Sequence, residues 1–493
     1  MNTSSPQTAL SPELQNNPLL NFGRGIASYS EVKPEHITPA IEFLLKRAQS
    51  AVDLATDPST PATWNQLAEP LEDATEALGR SWGVISHLNS VADTPELRAA
   101  YGAMLPEVTA FFSSLGQNLA LYQKFKALSK SPEFAKLNRA QKKVIENSLR
   151  DFRLGGAELS DADKPRFAQI QDEQAILGKA FSDHVLDATD HFVHLISDES
   201  ELVGLPDDVK AAAADTAEQK GLKGWAFTLH FPSYYPIMQY SENRALRRLM
   251  YEAYITRSSE LAPQFGKGKL DWDNTQNMLE QLRLRDEEAR MLGFANFAAL
   301  SLAPKMANTV EEVDRFLTDF AIKSKPFAKR DWDELCAFAK NELGLLDGVQ
   351  PWDIAFVSER LKQSRYAFSE NELKQYFPLP KVLEGLFSLI QTLFNVKIES
   401  ANLPTWHADV QSFAVKDLSG KLRAYFYLDP YARNGKRGGA WMDDARGRRE
   451  LPNGEIQIPV AYLVCNFAPP VKVDGVLRQP AITHDDVITL FHE

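Results

Sequence analysis

Apolar residues recur every three or four positions through most of this chain, and period-two alternation is confined to short stretches, most of them near the C-terminal end. From 37 to 152 the helical period dominates. It is punctuated by a Ser131-Pro132 start and a Gly155-Gly156 stop around Phe134, Leu137, Val144 and Leu149, the pattern of an antiparallel helical lobe. A long helix follows, opening near Ser160 and Asp163 and carrying Phe167, Ile170, Leu177, Phe181 and Val185 on one stripe. The Ala-rich, polar stretch 207–223 reads as a boundary. Beyond it, 225–231 reads as a strand, and helices are expected over 241–255, 274–292, 310–343 and 370–394. Strands then cluster at 412–415, 422–428 and 460–467, the first two joined by a turn at Leu418-Ser419-Gly420. The expected organisation is a disordered lead-in over 1–30, an N-terminal helical lobe over 31–205, and a second domain over 206–493 whose small sheet precedes a last helix. No self-similarity at the period of a helical solenoid is present, which weakens a repeat-scaffold reading.

Composition narrows the function. The 54 Lys and Arg against 66 Asp and Glu leave a net charge of −12, and no basic run stands out against it, so a nucleic-acid role is disfavoured. Two cysteines, Cys336 and Cys465, are too few for a disulfide framework or a thiolate zinc site and suit a reducing compartment, so a cytoplasmic location is expected. The first residues lack the basic and apolar regions of a signal peptide. The most apolar long stretch, 382–398, is interrupted by Glu384, Gln391, Asn395 and Lys397, so no membrane association is expected.

Three motifs weaken on inspection. Gly79-Arg80-Ser81-Trp82-Gly83 has nucleophile-elbow spacing but follows a helical pattern instead of a strand, so a turn between helices is the better reading. His184, Asp187, His191 and His194 fall on one helical face as a metal site would, yet no outside ligand is indicated and a solvated face explains them. Gly266-Lys267-Gly268-Lys269 lacks the spacing and the Ser/Thr of a phosphate loop and reads as a turn.

The last eleven residues carry more. Thr483 can cap a helix, Asp485 and Asp486 suit its first turn, and Val487, Leu490 and Phe491 make an apolar stripe. No C-cap follows, and Glu493 sits at the unfavourable end of the helix dipole, so the expectation is a chain cut inside a helix. With nine histidines, about one His-Glu pair arises by chance, so His492-Glu493 means little alone. On an apolar-striped helix after a small sheet it is where a zinc peptidase places its His-Glu-x-x-His motif. There, two imidazoles four residues apart reach one metal and the Glu points at the metal-bound water. A second reading of 460–467, apolar on both faces, is that Ala461, Tyr462 and Leu463 pair with an extended peptide; the competing reading, a buried central strand, is favoured. At 436–441, Gly438 and Gly439 allow close backbone approach and Lys or Arg could meet a peptide carboxylate, or the segment is a surface turn.

Several blocks together resemble a known family: Trp352-Asp353-Ile354-Ala355-Phe356, Phe426-Tyr427-Leu428-Asp429-Pro430-Tyr431-Ala432-Arg433, Lys436-Arg437-Gly438-Gly439-Ala440-Trp441-Met442, the run from Pro459 to Phe467, and the run from Thr483 to Glu493, with Ser86-His87-Leu88-Asn89-Ser90 and Val185-Leu186-Asp187-Ala188-Thr189 upstream. They are similar to the approach to the zinc motif in the thimet-oligopeptidase family of zinc metallopeptidases. The resemblance implies a mostly α, multi-helix, two-lobed zincin-type fold with a small β-sheet next to the active-site helix, the C-terminal part missing. It implies a monomer that binds one Zn2+ and hydrolyses short unstructured peptides, with His492 as the first zinc ligand and Glu493 as the general base. The family's remaining ligands have no counterpart in this chain, so tight zinc binding and hydrolysis are not expected of the 493 residues alone. The competing class is a non-catalytic helical peptide-binding or scaffold protein that ends naturally at Glu493.

Overall fold

The structure, a computed structural model, describes residues 11–473, 476–478 and 481–493. Its residues gather into two compact units. One holds the chain up to Ala180 with Asn277–Arg315 and Pro404–Trp406; the other holds Phe181–Gln276, Phe316–Leu403 and His407–Glu493. The expected division at 205/206 does not coincide with these units: their borders at 180/181, 276/277 and 315/316 fall inside the helices Lys164–His191, Thr275–Met291 and Val310–Asn341, and Pro404–Trp406 is a short return to the first unit. A composition shift does not mark such a border because the helical hydrogen-bond ladder runs straight through it.

The first unit is built of α1 (Pro34–Thr56), α2 (Glu69–Val91), α3 (Pro95–Gly116), α4 (Leu119–Ser129), α5 (Arg139–Leu154) and the start of α6 (Lys164–His191). On α1 the buried residues Ile37, Ile41, Leu44, Ala48, Val52 and Ala55 recur at three and four, one stripe that packs on α2 and α3. The expected lead-in is partly structured. Pro12–Gln15 and Pro18–Asn21 are helical turns opened by Ser11 and Asn17 caps, with Leu19 buried, while 1–10 lie outside the described residues. The stretch Gly79–Gly83 is neither an elbow nor a turn: it lies inside α2, where the Ser81 hydroxyl donates to the Leu19 carbonyl at 2.7 Å. Glycine mid-helix is tolerated there because the surrounding apolar stripe supplies the packing.

In the second unit, 207–223 is not a linker: α7 (Asp207–Gln219) buries Val209, Ala213 and Ala217 at a spacing of four. The expected strand at 225–231 stops at Phe227, pairing with His194–Ile196, because the His230-Phe231-Pro232 run opens α8 (Phe231–Tyr240) with proline in its first turn. Then come α9 (Arg244–Thr256), α10 (Val310–Asn341) and α11 (Ile354–Tyr366). The helix expected over 370–394 is two, α12 (Glu370–Lys374) and α13 (Leu379–Phe394), since Pro378 and Pro380 cannot continue a helical ladder.

The sheet holds β1 (Val396–Ala401), β2 (Gln411–Asp417), β3 (Leu422–Tyr431), β4 (Trp441–Arg446) and β5 (Val460–Phe467) in the order β1-β2-β3-β5-β4. The β3/β5 pair is parallel and the others antiparallel. A last helix, α14 (His484–His492), follows. Its Leu490 joins one core with Leu379 and Leu383 of α13 and with Leu428, Cys465 and Phe467 of the sheet. The mostly helical architecture with a small mixed sheet beside the terminal helix is as the sequence suggested.

Candidate active-site helix and its strand

The helix α14 is held at its start by three independent contacts. The Thr483 hydroxyl accepts from the Asp486 amide at 3.1 Å while the Asp486 carboxylate accepts from the Thr483 amide at 2.9 Å, a reciprocal cap. The Ile482 amide donates to the Phe377 carbonyl at 3.0 Å. Buried Glu370 takes the His484 amide at 3.1 Å on one oxygen and the Lys362 ammonium on the other, which places a carboxylate at the positive end of the helix dipole. Burial raises the Asp486 carboxyl above its usual range, against the two Thr483 bonds that lower it. At the other end the Glu493 amide still donates to the Thr489 carbonyl at 3.0 Å, so the ladder reaches the last residue. His492 is exposed and Glu493 half-buried. Burial pushes the Cys465 thiol up to about 12, with the Glu493 and Asp486 carboxylates adding to the effect, so Glu493 is within electrostatic reach of β5.

The strand β5 is central. Ala461 pairs with Phe426 and Asp444, Tyr462 with Tyr427 and Asp443, and Leu463 with Leu428 and Met442. Both backbone edges are taken, so the alternative that Ala461, Tyr462 and Leu463 themselves pair with a peptide strand is corrected. The apolar run reflects burial on two faces of a parallel pair. The strand β4 is an edge, as β1 is at the far side: β4 has β5 on one side and no strand on the other among the described residues.

The loop 432–440 between β3 and β4 is pinned from below. The Lys436 ammonium is buried and donates to the Asp429, Tyr431 and Cys465 carbonyls at 3.1, 2.7 and 2.6 Å and to the Asp429 carboxylate at 2.8 Å. Arg433 forks onto both oxygens of Asp429 at 2.7 Å. Burial pulls the Lys436 ammonium down to about 8 even beside that carboxylate. Burial alone would raise Asp429, but Arg433 and Lys436 bring it below its ordinary value. Lys436 is thus saturated and cannot meet a substrate carboxylate, a second correction. Gly438 and Gly439 are exposed on this loop, Gly439 at φ +95°. Periodicity carries no signal for this buried ion cluster.

The four residues of the α6 face are not brought together. His184 meets Asn274 at 2.8 Å, the His191 ring packs edge-on against Trp272, and burial depresses the pKa of His194 in its short strand. Asp190, three residues after Asp187, is drawn instead to His230 at 2.9 Å and to the Gly435 amide. Among the described residues no group of three or more His, Cys, Asp or Glu is placed to hold a metal ion.

Comparison with known proteins supplies the lineage. Residues 237–493 match Peptidase family M3, just over half of the chain, and 41–164 match the Neurolysin/Thimet oligopeptidase N-terminal domain. The chain belongs to peptidase family M3. It is 46% identical to oligopeptidase A of Haemophilus influenzae and 43% to oligopeptidase A of Escherichia coli, in each case over 97% of this chain and 69% of the relative. An X-ray structure described as an oligoendopeptidase F shares the fold, with a TM-score of 0.52 and 14% identity over 94% of this chain and 63% of that one. The M3 match runs through β5 and α14 to residue 493, so the scaffold reading loses its support, and the pinned loop, the edge strand and the terminal helix all lie in the M3 segment.

Proposed function

We propose that this chain carries the first part of the active site of a zinc-dependent oligopeptidase, with His492 as a zinc ligand and Glu493 as the general base. We propose further that the complete enzyme is a cytoplasmic monomer hydrolysing short unstructured peptides in intracellular peptide turnover. The observation that carries the reading is the M3 match extending to residue 493, onto a helix that is capped, anchored by Glu370 and seated through Leu490 on the central strand. A catalytic zinc takes three protein ligands, and the described residues bring one imidazole to the end of α14, so the residues present do not by themselves fit the metal. The 493-residue chain alone neither holds zinc tightly nor hydrolyses peptides. On this reading peptide lies along the open edge of β4, with Gly438 and Gly439 beside its path, and Ala461, Tyr462 and Leu463 serve as the backing of that edge.

The test uses a protein extended through the rest of the motif. Glu493→Gln there should leave zinc stoichiometry intact and abolish chelator-sensitive peptide hydrolysis, because a carboxamide cannot take the proton. Retained turnover refutes the role of Glu493, and stoichiometric zinc in the 493-residue chain refutes its incompleteness.

A further inference from the structure

The loop 432–440 holds three cations, Arg433, Lys436 and Arg437, and the fold uses only two. Arg433 and Lys436 are spent on Asp429 and on three carbonyls. Arg437 differs. Its Nε is buried without a hydrogen-bond partner, and among the described residues no carboxylate or carbonyl meets its guanidinium. A partly desolvated guanidinium with no acceptor is a cost that the chain's own packing leaves uncompensated.

The backbone on both sides of Arg437 is nonetheless held. The Gly435 amide donates to Asp190 at 2.9 Å, and the Asn466 amide group donates to the Arg437 carbonyl at 2.9 Å and to the Gly439 carbonyl at 2.6 Å. Between those two carbonyls sits Gly438, where an added Cβ would find nothing within 4 Å and the backbone does not require glycine. A rigid loop that presents an unspent arginine next to a glycine its own fold does not need is preorganised for a ligand rather than for packing.

We propose that Arg437 is a specificity-determining residue that binds the C-terminal carboxylate of a short peptide. The inference rests on the peptide-site reading above. The peptide is taken to add antiparallel, as β5 does on the other side of β4: β4 begins at Trp441, immediately after the loop, so a peptide added in that sense to its open edge has its C-terminus at the start of β4. The terminal carboxylate then arrives at the loop, where the planar fork of an arginine can take both oxygens.

Binding, and not turnover, tests this, so the 493-residue chain suffices. Three N-terminally fluorescein-labelled hexapeptides of Ala and Phe are titrated by fluorescence anisotropy: a free acid, its C-terminal amide, and the amide with one internal Glu. The free acid should bind about tenfold more tightly than the plain amide, the size of one charge-assisted fork. R437A should bring the free acid to the level of the amide, and R437K should recover part of the difference. Because the Arg437 guanidinium has no partner among the described residues and the Asn466 bond goes to the backbone carbonyl, R437A should keep the parent's thermal midpoint; if it does not fold, the acid-against-amide comparison on the parent chain still decides. Equal binding of acid and amide, or indifference to R437A, overturns the proposal while leaving a peptide site. A Glu-containing amide that binds as tightly as the free acid overturns the terminal assignment in favour of an acidic side chain. No binding of any probe overturns the peptide-site reading itself.

Discussion

Replacing Lys436 by methionine keeps the apolar stem and removes the ammonium, which isolates the worth of the buried cluster beneath the β3–β4 loop. Four bonds go at once, to the Asp429 carboxylate and to the Asp429, Tyr431 and Cys465 carbonyls. Breaking a buried ion pair costs about 3–5 kcal/mol when the remaining charge is orphaned. Here Arg433 keeps both of its bonds to Asp429, so the charge is not orphaned and the lower end applies. Up to three carbonyls losing a donor, each worth roughly 1 kcal/mol, leads to a similar figure of about 3 kcal/mol. The cluster ties β3, β5 and the loop together, so the loss should be local. Hydrogen exchange across 460–467, followed by mass spectrometry at neutral pH, should accelerate about a hundredfold, with protection in α1 and α2 unchanged. The double variant with Asp429→Asn should lose less than the sum of the two single changes, because they share one interaction. Acceleration below about fivefold, or strict additivity, would refute the reasoning and reduce the cluster to incidental contacts.

Two further outcomes follow from the same contacts. Asp417 sits in the β2–β3 turn, where the Ser419 hydroxyl, the Ser419 and Lys421 amides and Arg423 hold its carboxyl down to about 2. A depressed carboxyl contributes stability that is fully present above the unfolded value near 3.8 and is lost as pH falls toward 2. An acid titration should therefore lose less stability between those limits in Asp417→Asn than in the parent, and identical curves would refute the assignment. Glu370→Ala removes the acceptor of the His484 amide and leaves Lys362 half-buried and unpaired, a loss of about 2–3 kcal/mol. Exchange at the first turn of α14 should rise well before that of α13, and equal protection in both variants would show that Glu370 does not anchor the helix.

Legibility in the sequence differs by element. The period of Ile37, Ile41, Leu44, Ala48 and Val52 marks α1 as helix with one buried stripe, and Thr483 with Asp486 marks the start of α14 to the residue. Both signals are local: a stripe needs only neighbours at three and four, and a cap only the next turn. The borders between the units leave no mark in the sequence because the helices Lys164–His191, Thr275–Met291 and Val310–Asn341 continue through them. The histidines at 184, 191 and 194 share a spacing but meet Asn274, Trp272 and a strand partner instead of one another, since their partners come from segments tens of residues away.

The sequence by itself determined the striped helices of the first unit and most of the sheet's inner strands, placed His492 and Glu493 on a capped helix after a small sheet, and carried the family resemblance. Only the tertiary structure decided that β4 is an open edge, that Lys436 is buried and saturated, and that Arg437 is the cation left over. Secondary structure follows periods readable within a few residues, whereas strand order and charge pairing depend on which distant segments meet. Lys436 and Arg437, adjacent in sequence and alike in charge, differ because one faces Asp429 and the Cys465 carbonyl and the other faces no acceptor among the described residues.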